Sequence, residues 1–206
     1  ADDLVANDNN GTTDVFLRDR GRTNMLLVSR TSTGAAGNGV SRNPIISADG
    51  RYVAFESEAS NLVPGDGNGK IDVFVYDSLH QLTELISVNA SGNGSADGDS
   101  FAPKFSADGR TIVFVSTADD LTGNDTNRTG DVFIRYLDSD TTLLVSVNAN
   151  GQSGLGPSAS PVISTNGRFV AFASSASDLV SGDTNGLSDI FCRDLNNSQT
   201  RLVSIN

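Results

Sequence analysis

The sequence predicts an all-β protein assembled from repeats of one four-stranded antiparallel unit, and three observations carry that reading. First, Asp-x-Asn-x-x-x-Asp followed by Val or Ile and then Phe recurs at Asp8–Phe16, Asp66–Phe74, Asp125–Phe133 and Asp183–Phe191, in steps of 58, 59 and 58 residues. A long period held in register is the signature of a repeat architecture. Second, Ala48-Asp49-Gly50, Ala107-Asp108-Gly109 and Thr165-Asn166-Gly167 separate short apolar runs. Asp-Gly between such runs is a strong hairpin signal, because both central turn positions tolerate positive φ. Third, no stretch carries a 3.6-residue apolar period long enough for a helix.

The elements follow in order. The clearest unit reads Asn43–Ser47, Arg51–Ser57, an acidic loop, Asp72–Asp77 and Leu82–Val88. The next reads Pro103–Ser106, Arg110–Ser116, Asp131–Tyr136 and Leu143–Asn148, and the last Pro161–Ser164, Arg168–Ala173, Asp189–Asp194 and Arg201–Asn206. Near the N-terminus, Ala1–Val5 aligns with Ala118–Thr122, which follows the second strand of its unit. The chain is therefore expected to open with a third and a fourth strand only, Asp14–Arg18 and Met25–Arg30. The organisation expected is one region, 1–206, holding a half unit at 1–33 and whole units at about 43–90, 102–148 and 160–206. The Gly/Ser/Asn-rich connectors Ala90–Ser100 and Ala149–Ser160 carry no apolar period and are expected to be exposed loops.

Composition excludes several classes of function. A formal net charge of −11 argues against binding a nucleic acid backbone or anionic lipid, both of which call for Lys and Arg. No run approaches the ~20 apolar residues of a membrane helix, so no membrane insertion is expected. The one cysteine, Cys192, takes the strand position of Leu17, Val75 and Ile134 and is expected to be a buried apolar stand-in. The one histidine, His80, falls in a turn with no partner constellation implied. Nucleophile elbow, P-loop and dinucleotide fingerprints do not occur, so the chain is not expected to be an enzyme. Asp19, Asp77 and Asp194 recur at one position, where the third copy has Tyr136; a repeated residue at a repeated position reads as structural.

Units that begin Pro-x-x-Ser-Ala-Asp-Gly-Arg-x-x-x-Phe and continue to Asp-Val-Phe-Val-Tyr-Asp resemble the WD40-like (PD40) repeats of TolB-type β-propellers. The residues concerned are Ser47–Phe55 with Asp72–Asp77, Ser106–Phe114 with Asp131–Tyr136, and Ser164–Phe172 with Asp189–Asp194. The resemblance implies a β-propeller of four-stranded antiparallel blades, about 3.5 of them in this chain. It implies little about function, since propellers host binding modules, enzymes and scaffolds alike. The period is longer than the roughly 40–45 residues of ordinary propeller repeats. About four blades is the usual minimum for a closed ring. An open arc, a fragment of a longer propeller, or a ring completed by other chains is therefore expected.

The acidic loops read as calcium sites, about four, one per repeat. Ca²⁺ takes six to eight oxygens from carboxylates, amide carbonyls, backbone carbonyls and water. Asp at position one (Asp8, Asp66, Asp125, Asp183), Asn at three (Asn10, Asn68, Asn127, Asn185) and Asp at seven (Asp14, Asp72, Asp131, Asp189) would supply much of that shell. The backbone carbonyl at five (Thr12, Lys70, Thr129, Leu187) would add to it. Glycine at position four (Gly11, Gly69, Gly186) would let the loop curl, and Arg128 breaks the pattern. The alternative is that these residues form Asx turns without metal. Asp3, Asn61, Asp120 and Asp178 align as further ligands or loop caps. The expected function is a non-catalytic, calcium-stabilised interaction module, extracellular, periplasmic or at a bacterial cell surface. It would bind a protein partner or self-associate through open blade edges. The alternatives are a structural subunit of an extracellular fibre and, less favoured, the propeller part of a hydrolase or lyase.

Overall fold

The computed structural model describes residues 4–21 and 24–205. Ala1, Asp2 and Asp3, assigned above to the half unit, and Asn206 of the last strand lie outside the described residues. Among the described residues every regular element is a strand: β1 Phe16–Arg18, β2 Met25–Leu27, β3 Ser41–Ile46, β4 Tyr52–Ser57, β5 Asp72–Asp77, β6 Leu82–Leu85, β7 Ser100–Phe105, β8 Thr111–Ser116, β9 Asp131–Tyr136, β10 Thr141–Leu144, β11 Ser158–Ile163, β12 Phe169–Ser174, β13 Asp189–Asp194 and β14 Gln199–Leu202. They form a two-stranded sheet, β1-β2, and three four-stranded antiparallel meanders, β3-β4-β5-β6, β7-β8-β9-β10 and β11-β12-β13-β14. The architecture is a partial β-propeller. Among the described residues no helix is long and apolar enough to cross a membrane.

The first strand of each whole sheet starts earlier than the sequence pattern implied, at Ser41, Ser100 and Ser158. A bulge sits inside each, between Arg42 and Ile45, Phe101 and Lys104, and Ala159 and Val162. There Asn43, Ala102 and Ser160 take left-handed φ of 53°, 55° and 54°. An extra residue breaks the period-two alternation, which is why the early part of the strand did not read as one. The fourth strands are shorter than expected and end at Leu27, Leu85, Leu144 and Leu202. Beyond them the chain turns onto the acidic loop; Ser29, Ser87 and Ser146 are fully buried there.

Successive sheets pack face to face around three apolar clusters. Val15 and Val28 of the first sheet meet Phe55, Phe74 and Tyr76. Ala54, Val73, Val75 and Ile86 meet Ile112, Phe114 and Phe133. Val113, Val132, Ile134 and Val145 meet Val170, Phe172 and Phe191. Because alternate residues of a strand point to opposite faces, β4, β5, β8 and β9 feed one cluster on each side and are buried nearly throughout. In each whole sheet a cross-strand phenylalanine pair stacks at 5.7–5.9 Å between centroids, Phe55–Phe74, Phe114–Phe133 and Phe172–Phe191.

Two expectations are corrected. The connectors are exposed only in part: 90–93 and 149–152 are exposed, but the chain beyond them pairs through Arg30–Ala36, Val88–Ser95 and Val147–Ser153 bridges, and Ala96 is fully buried. Gly98 and Gly39 allow the close approach, since a Cβ would come within 2.5 Å of the Ala118 amide and 2.6 Å of the Glu58 carbonyl carbon. Cys192 is only half-buried, unlike Val75 and Ile134. It belongs to the last sheet, on which no further sheet packs among the described residues.

Candidate cation site

In the three whole sheets the acidic loop joins the second strand to the third, and the first loop leads into β1; the two ends of the motif behave differently. Asparagine and aspartate at positions three and seven form a clasp. The Asn amide donates to the Asp in all four copies: Asn10 to Asp14 at 2.8 Å, Asn68 to Asp72 at 2.8 Å, Asn127 to Asp131 at 2.6 Å and Asn185 to Asp189 at 2.8 Å. The Asn carbonyl accepts the amides of Thr12, Lys70, Thr129 and Leu187 at 2.8–2.9 Å, an Asx turn. In the first three copies the Asn amide also reaches the connector, at the carbonyls of Gly37, Ala96 and Gly154.

The other Asp oxygen accepts a serine hydroxyl from fifteen residues on: Ser29, Ser87, Ser146 and Ser204 bond Asp14, Asp72, Asp131 and Asp189. The same hydroxyl accepts the amide of Val15, Val73, Val132 or Ile190. This Asn–Asp–Ser relay ties loop, third strand and connector together. These serines escaped the sequence reading, although each stands after an apolar pair at one position of the repeat. Burial pushes the Asp72 and Asp131 carboxyls up to about 7 against the hydrogen bonds from Ser87 and Asn68, or Ser146 and Asn127; Asp66 and Asp125 add to the rise.

Position one is the other kind of end. Asp8, Asp66, Asp125 and Asp183 are all buried. Both carboxylate oxygens of Asp125 and of Asp183 have no hydrogen-bond partner. Burial raises the Asp125 carboxyl; the Asn127 amide and the Ser153 hydroxyl lie near enough to offset this in part without reaching hydrogen-bond geometry. Burial also raises Asp66, beside Ser95. A buried, unsatisfied carboxylate is among the costlier groups a fold can carry. Position four is left-handed in every copy, at φ of 69°, 65° and 68° for Gly11, Gly69 and Gly186, and Arg128 adopts the same turn at 58°. The loop curls with or without glycine.

The aligned acidic or amide residues before the loop act as caps. The Asn38 amide bonds Asn61, that of Asp97 bonds Asp120 and that of Leu155 bonds Asp178, at 2.8–3.0 Å; Asp3 lies outside the described residues. Asp77 and Asp194 receive Arg51 and Arg168, each pair closing at 2.6 Å. His80 lies exposed in its turn with Nδ1 2.8 Å from Asp77. Among the described residues no three His, Cys, Asp or Glu side chains are grouped to hold a metal by themselves. A cation here would draw on the carboxylate at position one with neutral oxygens, because both oxygens at position seven already accept hydrogen bonds. An open groove of about 840 Å³ between β6 and β10, lined by Glu84, Arg135, Asp140 and Thr142 among others, holds Arg135 in bonds to Asp140 and Thr142.

The sheet geometry has counterparts among solved structures. TolB from Acinetobacter baumannii superposes with a TM-score of 0.54 at 15% identity, over 94% of this chain and 38% of that one. The tricorn protease gives 0.54 at 17%, over 94% and 15%. An oligogalacturonate lyase in complex with manganese gives 0.51 at 12%, over 92% and 46%. The chain thus spans well under two thirds of the proteins it resembles. At these identities the likeness establishes the β-propeller fold alone. No family model and no curated protein match the sequence.

Proposed function

We propose that this chain is a non-catalytic propeller segment that works as a protein-interaction module, with calcium held in its acidic loops, in the extracellular space, periplasm or cell surface of a bacterium. The observation that carries the interaction reading is the open face of the last sheet. Ile190 is 44% exposed and Val203 53%. The same repeat positions in earlier sheets, Val73 and Val132, and Ile86 and Val145, are at most 1% exposed because the following sheet covers them. An apolar ladder shaped for a sheet takes a sheet, supplied by another blade of this kind or by a second copy. The abundance of calcium outside the cytoplasm suits moderate-affinity sites.

Light scattering in millimolar calcium tests the interaction reading. The expected result is a defined oligomer that Ile190→Asp disperses. A monomer unaffected by Ile190→Asp sinks the reading, and long regular filaments in negative stain replace it with a structural subunit. Calcium has its own test. A site saturated at a hundredfold over its dissociation constant adds about 2.7 kcal/mol of stability, so EDTA is expected to lower the melting temperature by several degrees. An unchanged melting temperature removes calcium from the proposal.

A further inference from the structure

Resting on the cation reading of the acidic loops, we propose that one loop, between β8 and β9, is the principal calcium site. Its donors are the carboxylates of Asp125 and Asp119 and the hydroxyls of Thr122 and Thr129. The observation is a concentration of buried oxygens with no hydrogen-bond partner: Asp119 Oδ1, Thr122 Oγ1, Asp125 Oδ1 and Oδ2, and Thr129 Oγ1. All five belong to residues 119–129 of a single loop. Asp125 itself is 6% exposed.

The other loops lack this set. Where the third copy has Thr122, the others have Val5, Val63 and Val180. Where it has Thr129, two have Lys70 and Leu187. Where it has Asp119, the second and fourth have Ser60 and Ser177. A lysine contributes a competing positive charge, and a leucine or valine has no oxygen to give. The fourth loop keeps a buried, unpartnered Asp183 but has only apolar neighbours at the two threonine positions.

The chemistry of the set selects the ion. The donors are all oxygens, two of them carboxylates, in an irregular loop that also offers backbone carbonyls. That is the environment Ca²⁺ accepts and that zinc, copper and nickel do not favour. Ca²⁺ takes its oxygens at about 2.3–2.6 Å, and buried oxygens that no donor reaches are the ones a bound cation would satisfy. One water offers two protons, fewer than the lone pairs two carboxylates present. Arg128 does not fill the role: its Nε lies 3.7 Å from Asp119 Oδ2 on a side chain 88% exposed, and a surface pair of that length holds weakly.

Calorimetric titration of CaCl₂ into the chelator-treated chain tests this against three variants. Wild type is expected to show one dominant site per chain. Asp125→Asn is expected to weaken it at least tenfold. Thr122→Val, which installs the residue found at the other three positions and keeps the test alive should Asp125→Asn fail to fold, is expected to weaken it several-fold. Asp183→Asn is expected to leave it unchanged. Four equal sites, or equal losses from Asp125→Asn and Asp183→Asn, would overturn the preference for this loop while leaving calcium in place. No binding by wild type at millimolar calcium would overturn both.

Discussion

The third sheet, β7–β10, and the last, β11–β14, are built from one repeat, yet they live in different surroundings. Strands β8 and β9 are buried along nearly their whole length, whereas β12 and β13 alternate between buried and open positions. Val132 is fully buried and its counterpart Ile190 is 44% exposed. The phenylalanines do not differ: Phe133 and Phe191 are both fully buried, because each points to the preceding sheet, which both sheets have. Burial in this architecture is thus a property of the junction between sheets. An apolar residue earns its stabilising effect only where a neighbouring sheet completes the cluster.

That contrast is broken most strongly by truncating the face that differs. Val132→Ala should cost about 2 kcal/mol or more through its cavity, while Ile190→Ala, which removes more carbon, should cost under about 1 kcal/mol. Urea unfolding midpoints at constant slope measure both. Equal losses would mean that the last sheet is covered in solution.

The relay offers a second comparison. Ser146 is buried and satisfies both Asp131 and the Val132 amide; Ser204 makes the same bonds while exposed. Ser146→Ala should therefore destabilise by about 1–3 kcal/mol and Ser204→Ala by under about 1 kcal/mol, since water replaces the lost bond only at the open position. Thermal melts of the two variants rank them.

The smallest effect concerns acid. The Arg168 hydrogen bond pulls the Asp194 carboxyl down to about 2. At Asp77 burial pushes upward, but hydrogen bonds from Arg51, His80 and the Leu79 amide outweigh it, and the net shift is down. A carboxylate depressed in the folded state contributes stability that is present above its unfolded pKa of about 4 and is lost as pH falls through the folded value. Melting temperature should therefore decline between about pH 4 and pH 2. Arg168→Gln should flatten part of that decline. Arg110→Gln in the third sheet should not, because Arg110 and Asp138 are both about two-thirds exposed and such pairs contribute little.

Much of this was legible in the residues. The repeat length placed Asp72, Asp131 and Asp189 at equivalent strand starts, and the Asp-Gly and Asn-Gly turns placed the hairpins between the first and second strands. Asp77 and Asp194, recurring at one position, do serve a structural role through arginine. The first strands were cut short because a bulge at Asn43, Ala102 and Ser160 interrupts their alternation. The connectors read as exposed because small residues such as Gly98 and Ala96 have no apolar period; their smallness is what lets them lie against the loop.

The acidic motif shows where a one-dimensional reading stops. Its spelling treats positions one, three and seven alike, as oxygen donors around one centre. In space Asn127 and Asp131 turn toward each other and toward Ser146, while Asp125 is left without a donor. Ser146, fifteen residues downstream, settles that division, and nothing within the loop announces it.

By itself the sequence determined the unit, its repeat, its strand count and the chemistry available in each loop, because these depend on local pattern and spacing. Which face of a sheet is buried, which carboxylate is paired and which threonines share a loop with an unsatisfied aspartate were decided only by the tertiary structure. Hydrogen-bond partners and covering sheets come from distant parts of the chain, and desolvation acts on a residue through those neighbours rather than through its own spelling.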